Sequence, residues 1–219
     1  CLRYFPWYAL SPFGPGLMKQ ELCLASQSPR RAELLHQVGF DFWTYEPKVD
    51  ESAFADEEPA ALTERLSVKK AEAAVRAAAV GGEDPVCLGS DTVVVLDDMI
   101  LGKPSDDADA LRMLERLSGR SHEVVTAVTV AKGDWRESRR VTSTVTFCRL
   151  PEDVIRAYCD TPEPYDKAGA YGIQGFGGSF VMSLSGSYSA VMGLPLYETT
   201  ELLALAGIHP GWKEGLCNE

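Results

Sequence analysis

Two adjacent arginines stand at the start of a helix in a chain that is acidic overall. In Ser26-Gln27-Ser28-Pro29-Arg30-Arg31-Ala32-Glu33 the serine and proline read as an N-cap and a first helical residue, which puts Arg30 and Arg31 in the first turn. The peptide dipoles already make that end positive, so each partly exposed cation there is unfavourable by roughly 0.3–1 kcal/mol. Either both side chains point into water, or the end is built to meet an anion, as a strand, a tight turn and a helix N-terminus together can do. Other groups able to do chemistry are Asp91, Glu51 beside Asp50 in an acidic stretch, and the lysines Lys69, Lys70, Lys103 and Lys167. Gln174 stands among Gly169, Gly172, Gly175, Gly177 and Gly178, too many glycines for a strand core. They imply backbone approaching a ligand or another backbone closely.

Each of these groups also has a plainer reading. Asp91 lies between the apolar runs VCLG and TVVVL, where a buried carboxylate needs a metal, a cation or a proton, but it can instead cap a backbone turn. Glu51 and Asp50 can hold Mg²⁺ or form a solvated loop. Lys69 and Lys70 both flank a helical stripe of Leu62, Leu66, Ala73, Ala77 and Val80, so periodicity leaves open which one turns inward. Lys103 in GKP and Lys167 before the glycines are loop lysines able to reach a phosphate or to serve plain turns.

Composition narrows the field. A formal net charge of −11 over 219 residues and a pI near 4.8 argue against nucleic acid or an anionic membrane as the main partner. An anion site must then be local. His36, His122 and His209 lack metal-ligand spacing, so zinc is not expected and any metal should take oxygen ligands. Cys1, Cys23, Cys87, Cys148, Cys159 and Cys217 contain no CxxC pair and read as reduced thiols of a cytoplasmic protein. No run approaches the roughly 18 apolar residues that span a membrane. Neither a Walker A pattern nor a GxGxxG after a strand is present.

These groups need elements to position them. ELCLAS reads as a buried strand before the Pro29 helix, which should stop at Gly39, and FDFWTY as a second strand running into the loop KVDESAFADEEP. A long helix is expected from about Pro59 to Ala79. It is followed by a strand interrupted at Gly89-Ser90-Asp91 and a turn at Asp97-Asp98. Ser105 is expected to cap a helix with Asp106 and Asp107 in its first turn, the ordinary charge order. HEVVTAVTVAK and RRVTSTVTFCRL alternate around GDWRES as a hairpin. A short helix near Pro151 to Cys159 and a last one from Pro195 to Gly207 complete an α/β fold with a mixed sheet. Residues 1–17 are expected to be an extraneous extension before a natural start at Met18. The region 18–207 is expected to be a single domain, and 208–219 a tail.

Taken in order, LASQSPRRAELL, LGSDTVVVLDD, LGKP, MLERLSGRSHEVVTAV, YDKAGAYGIQGFGGSFV and GSYSAVMGLPLYET resemble the Maf family of septum-formation-inhibitor-like nucleotide pyrophosphatases. The likeness runs from about Leu22 to Leu203. It implies a two-lobed α/β fold around a long mixed sheet, shared with inosine-triphosphate pyrophosphatases, with a cleft between the lobes. The implied activity is hydrolysis of a nucleoside triphosphate to monophosphate and pyrophosphate with a divalent cation, Mg²⁺ or Mn²⁺. The resemblance makes Asp91 the proton acceptor and puts Glu51 at another polar active-site position; chemically, Asp91 can instead hold the metal, with Glu51 as a second oxygen ligand. It puts Arg31, Lys70, Lys103 and Lys167 around the phosphates. Arg30, Thr92 and Gln174 fall at the positions tied to base choice and look like the dTTP/UTP branch; the 7-methyl-GTP branch carries tryptophan, glutamine and glutamate there.

The chemistry agrees with that resemblance. A triphosphate brings about four negative charges, which Arg31, Lys70, Lys103, Lys167 and a metal can offset. The carboxamide of Gln174 can match the O4 acceptor and N3–H donor of uracil or thymine, provided the glycine-rich backbone fixes its direction. The expectation is a dTTP/UTP pyrophosphatase, extending to modified pyrimidine nucleotides. Its rivals are a purine or 7-methyl-GTP pyrophosphatase and a nucleotide-binding regulator of cell division. A homodimer is compatible with such a protein.

Overall fold

The computed structural model describes residues 21–214. The expected extension 1–17, the start at Met18 and the last residues of the expected tail lie outside them. A seven-stranded mixed sheet runs in the order β2-β1-β3-β5-β6-β7, with β4 added on β3. Its first strands are β1 (Leu22–Ala25) and β2 (Trp43–Tyr45), both parallel neighbours in the β2-β1-β3 part. The longer strands β3 (Val86–Leu96), β5 (Ser121–Lys132) and β6 (Trp135–Phe147) pair antiparallel, and β7 (Val181–Ser185) forms the far edge. The β5–β6 hairpin turns tightly at Gly133-Asp134, since Lys132 pairs directly with Trp135. The turn from β3 into β4 (Met99–Leu101) uses Asp97 and Asp98, both at positive φ, as a two-residue hairpin of the favoured twist requires.

Strand alternation sends side chains to two faces, and the two faces are covered differently. One face carries the helix α2 (Pro59–Val80). Its inner row Leu62, Leu66, Lys70, Ala74 and Ala78 recurs every four residues, flanked by Thr63, Ser67 and Ala71. The expected stripe is therefore corrected: Ala77 is exposed and Val80 is 92% exposed, and the row passes through Lys70 instead. The opposite face holds two cores. In one, Leu34 and Leu35 of α1 (Pro29–Gln37) and Leu202 and Leu203 of α6 (Leu196–Leu205), which follows the one-turn α5 (Tyr188–Val191), pack on Leu24, Leu88 and Val128. In the other, Leu114 and Leu117 of α3 (Asp107–Leu117) and Ile155 and Tyr158 of α4 (Glu152–Cys159) pack on Val94, Val124 and Phe147. Ile173 touches both, so the two cores meet at the glycine-rich segment.

Further details differ from the sequence reading. β3 is continuous through Gly89-Ser90-Asp91 rather than interrupted. A Cβ on Gly89 would lie 2.3 Å from the Ser67 carbonyl oxygen and 2.6 Å from the Ala71 nitrogen, so the glycine marks close helix-on-strand packing, not a break. The cap of α3 is Asp106, whose carboxylate accepts from the Asp109 amide at 2.8 Å; Ser105 instead donates its amide to Asp109. Past α6, Ile208 is buried in the α1 core. Within α7 (Gly211–Glu214), the Gly211 amide donates to the Gly39 carbonyl at 2.8 Å. Cys23, Cys87, Cys148 and Cys159 are free thiols. No helix among the described residues is long and apolar enough to cross a membrane.

Candidate active site

The sheet has a notch. On the side of β3 away from β5, β1 covers Val86 to Gly89 and β4 covers Val94 to Leu96, while no described strand covers Ser90 to Val93 between them. Asp91 and Thr92 lie in this gap on opposite faces, and both reach the cleft that opens there. The cleft has a volume of about 670 Å³.

On the α2 side, Gly89 brings the helix close enough for Lys70 Nζ to donate to Asp91 Oδ1 at 2.6 Å. Lys70 and Asp91 are each only 7% exposed. The same ammonium pairs with Glu51 Oε1 at 2.7 Å, and the Glu51 side chain is 56% exposed. The loop bearing Glu51 is held by Arg65, which donates to the Ser52 carbonyl and to both Glu57 oxygens. Burial pushes the Asp91 carboxyl above the usual carboxylate range, against the pull of the Lys70 and Arg31 charges. Burial acts on Glu51 in the same direction, but the Lys70 hydrogen bond and the charges of Lys70, Lys103 and Arg31 bring it below. Two neighbouring carboxyls are thus driven apart, the pattern that separates a proton acceptor from a permanently charged partner.

On the other face, the first turn of α1 points at the notch. Arg31 donates Nε to the Gly193 carbonyl at 2.8 Å, Nη1 to Ser26 Oγ at 3.3 Å and Nη2 to Thr92 Oγ1 at 3.4 Å. These acceptors are neutral, and among the described residues Arg31 forms no ion pair with a carboxylate. Burial lowers its pKa, with Asp91 and Glu51 opposing, yet a guanidinium stays protonated. Arg30 reaches across to Asp166 at 3.1 Å, and Asp166 in turn takes Lys167 Nζ at 2.5 Å. Ser28 makes no side-chain cap, since its amide donates instead to Ser26 Oγ at 3.1 Å.

The glycine-rich segment forms the remaining wall. Gln174 and Lys103 are exposed to the cleft and make no hydrogen bond or ion pair among the described residues. The glycines themselves face inward. A Cβ on Gly175 would lie 2.2 Å from Glu163 Oε2, one on Gly172 2.6 Å from Lys167 Cε, and one on Gly178 2.4 Å from the Ile173 carbonyl oxygen. The close approach inferred from the glycines is therefore to neighbouring backbone and to the chain's own side chains.

Arg30, Arg31, Glu51, Lys70, Asp91, Thr92, Lys103, Lys167 and Gln174 all line this one cleft. Of the two α2 lysines, Lys70 is the inward one. Sequence reasoning missed Ser26, Gly193, Asp166 and Glu163. Ser26 carried a signal, as a hydroxyl at a strand end before a helix. Gly193 carried a weaker one in GLP. The two carboxylates had none: Arg30, which Asp166 meets across the cleft, is distant in the chain, and two of the three donors to Glu163 are backbone amides.

The chain matches the family described as "Maf-like protein" over residues 21–206. It is 52% identical to a dTTP/UTP pyrophosphatase of Pseudoalteromonas atlantica over 183 residues, 84% of this chain and 95% of that one. It is 48% identical to one of Symbiobacterium thermophilum over 188 residues, 86% of this chain and 95% of that one. The Ham1 protein of Staphylococcus aureus overlays 61% of this chain and 73% of its own at TM-score 0.40 and 17% identity. With a family match over nearly all the described residues and relatives of about half-identical sequence, the chain belongs to the Maf family.

Proposed function

We propose that this protein hydrolyses dTTP and UTP to the monophosphates and pyrophosphate, as a single catalytic domain spanning about 18–207 and working in the cytoplasm. The observation that carries this is the convergence of Arg31, Lys70, Lys103 and Lys167 with Asp91 and Glu51 on one notch in an otherwise acidic molecule. The names of the half-identical relatives support it. The triphosphate supplies the negative charge that the first turn of α1 lacks. Asp91, with its raised pKa, accepts the proton of the water that attacks the α-phosphate. Lys70, held between two carboxylates, turns one ammonium toward the leaving pyrophosphate side, while Arg31 and Lys167 hold the chain of phosphates in line.

A divalent cation, Mg²⁺ or Mn²⁺, fits this donor set. Among the described residues no cluster of three or more His, Cys, Asp or Glu forms an all-protein cage. Glu51, and Asp91 in the alternative where it holds the metal instead of taking the proton, offer hard oxygen donors to be completed by substrate phosphates, which is the usual Mg²⁺ arrangement. Bound there, the cation offsets phosphate charge and acidifies water. Arg30, Thr92 and Gln174 read the base, with the Gln174 amide presenting an acceptor and a donor to the uracil or thymine edge.

A panel following pyrophosphate release tests the proposal. dTTP and UTP should exceed purine triphosphates; 7-methyl-GTP or ITP as the best substrate overturns it.

A further inference from the structure

The anion best held by the glycine-rich segment belongs to the chain itself. Glu163 Oε2 accepts from the Phe176 amide at 2.9 Å, and Oε1 accepts from the Gly177 amide at 3.0 Å. Oε1 also accepts from the Tyr158 hydroxyl at 2.9 Å, and that hydroxyl accepts from the Gly172 amide at 3.2 Å. The backbone on both sides of Ile173-Gln174-Gly175 is thus tied to one carboxylate. The turn closes on itself where the Gly175 amide donates to the Gly172 carbonyl at 3.2 Å. Gln174 sits at the crest, facing the cleft and unheld by any hydrogen bond of its own among the described residues.

An unrestrained carboxamide can flip, and flipped it presents its donor and acceptor in the order that suits cytosine rather than uracil. The flip is a side-chain rotation that backbone cannot block by itself, so discrimination needs the turn beneath to keep the carboxamide at one constant place among the groups that decide its direction. We propose that Glu163 is the positioning residue for base choice: its carboxylate holds the Gln174 turn in one orientation. The inference rests on reading the cleft as a pyrimidine triphosphate site. Three donors converging on one carboxylate make a nest that only an anion fills well. The glycines follow from it, because any side chain at 175 would occupy the place of the carboxylate. Burial pushes the Glu163 carboxyl up, but the Gly177 and Phe176 amides, the Tyr158 hydroxyl and the Lys167 charge hold it below its ordinary value, so it is ionised at neutral pH. Glu163 touches no reacting atom. It also accepts Lys167 Nζ at 2.7 Å through its backbone carbonyl, a bond that side-chain replacement leaves in place.

The test measures kcat and KM of the full chain for UTP, dTTP and CTP in the wild type, Glu163→Gln and Tyr158→Phe, with thermal unfolding as a check of folding. Glu163→Gln sets an NH₂ against backbone N–H groups. It should cut the UTP:CTP ratio of kcat/KM by about tenfold, mainly through KM for UTP, with kcat within about threefold. Tyr158→Phe removes one of the three donors to the Glu163 carboxylate together with the link to Gly172, leaves both backbone amides on the carboxylate, and should shift the ratio in the same direction by about threefold. A folded Glu163→Gln protein with an unchanged ratio overturns the proposal. If that variant does not fold, an unchanged ratio in Tyr158→Phe does so. Should the wild type prefer another base altogether, the proposed function fails. The same variants then decide the positioning role on the wild type's own ranking of bases.

Discussion

The N-termini of α1 and α3 obey opposite rules. α3 is capped by Asp106 and carries Asp107 and Asp109 in its first turn, so its dipole and its free amides are satisfied by its own residues. α1 has no side-chain cap, no acid in its first turn and two arginines there. Its amides and the Arg31 guanidinium face a cleft where Asp91 and Glu51 are already engaged by Lys70, and only Arg30 meets a carboxylate, that of Asp166. The two ends occur in one chain under one solvent, so general helix chemistry does not explain the difference. Position does: α3 begins on the open surface, while α1 begins at the notch in the sheet. A helix that supplies its own cap has no use for an incoming anion, and a helix left positive waits for one.

The largest effect should come from removing the chemistry that the α1 end serves. Asp91→Asn keeps the shape and the Lys70 contact, and it should lower kcat by about 10²–10⁴-fold in a pyrophosphate-release assay with the unfolding temperature little changed. The acid limb of the wild-type pH profile follows from the raised Asp91 pKa. In the proposed role of proton acceptor Asp91 must be ionised, so activity should fall as pH drops through a value above the ordinary 3.8. Stability runs the other way for this group. A raised folded pKa favours the protonated form, so its contribution is full below the ordinary value and is lost as pH rises through the folded one. Loss of the acid limb in Asp91→Asn sharpens the comparison; near-normal turnover breaks it.

What the sequence disclosed follows the same division. Asp91 was legible because a carboxylate between two apolar runs conflicts with burial, and Arg30 and Arg31 because they conflict with a helix dipole. Those violations are visible locally. The choice between Lys69 and Lys70 was not, because it depends on how α2 is rotated over β3, and that rotation is set by the small residues Ser67, Ala71 and Gly89 at the contact. Gly89 itself read as a break because sequence shows only the missing side chain and not the helix that takes its space. Glu163 was silent altogether: two of its three donors are backbone amides 13 and 14 residues away, which have no sequence signature. The alternating strands and the α2 helix were legible from periodicity. The notch was not, because it arises from where β1 and β4 stop.

Arg31→Met probes the binding half of the α1 end. The guanidinium has neutral partners only, and the Gly193 carbonyl keeps a second donor in Ser90 Oγ at 2.9 Å, so the fold should survive. The loss should appear in kcat/KM for dTTP, about 10- to 100-fold, as expected for a charge-assisted contact to phosphate. KM of the wild type should rise with salt, and that of the variant should rise less, because one screened attraction is gone. A variant whose kcat/KM and salt dependence match the wild type would place the arginine outside the phosphate site.

The smallest effect should be the most discriminating, because it treats the two N-cap positions alike. Asp106→Ala removes an acceptor that satisfies the Asp109 amide, and should cost about 1 kcal/mol. In a chain of this size that lowers the unfolding temperature by about 2–4 °C, with kcat and KM unchanged. Ser28→Ala removes a hydroxyl that accepts from no helix amide and keeps the amide that donates to Ser26, so stability should stay within about 0.5 kcal/mol. Truncation to alanine at the same helical position then reads differently because one helix end is closed by its own side chain and the other is open to the cleft. Equal losses of stability from the two would mean that α1 is capped after all, and the positive end would no longer require an anion.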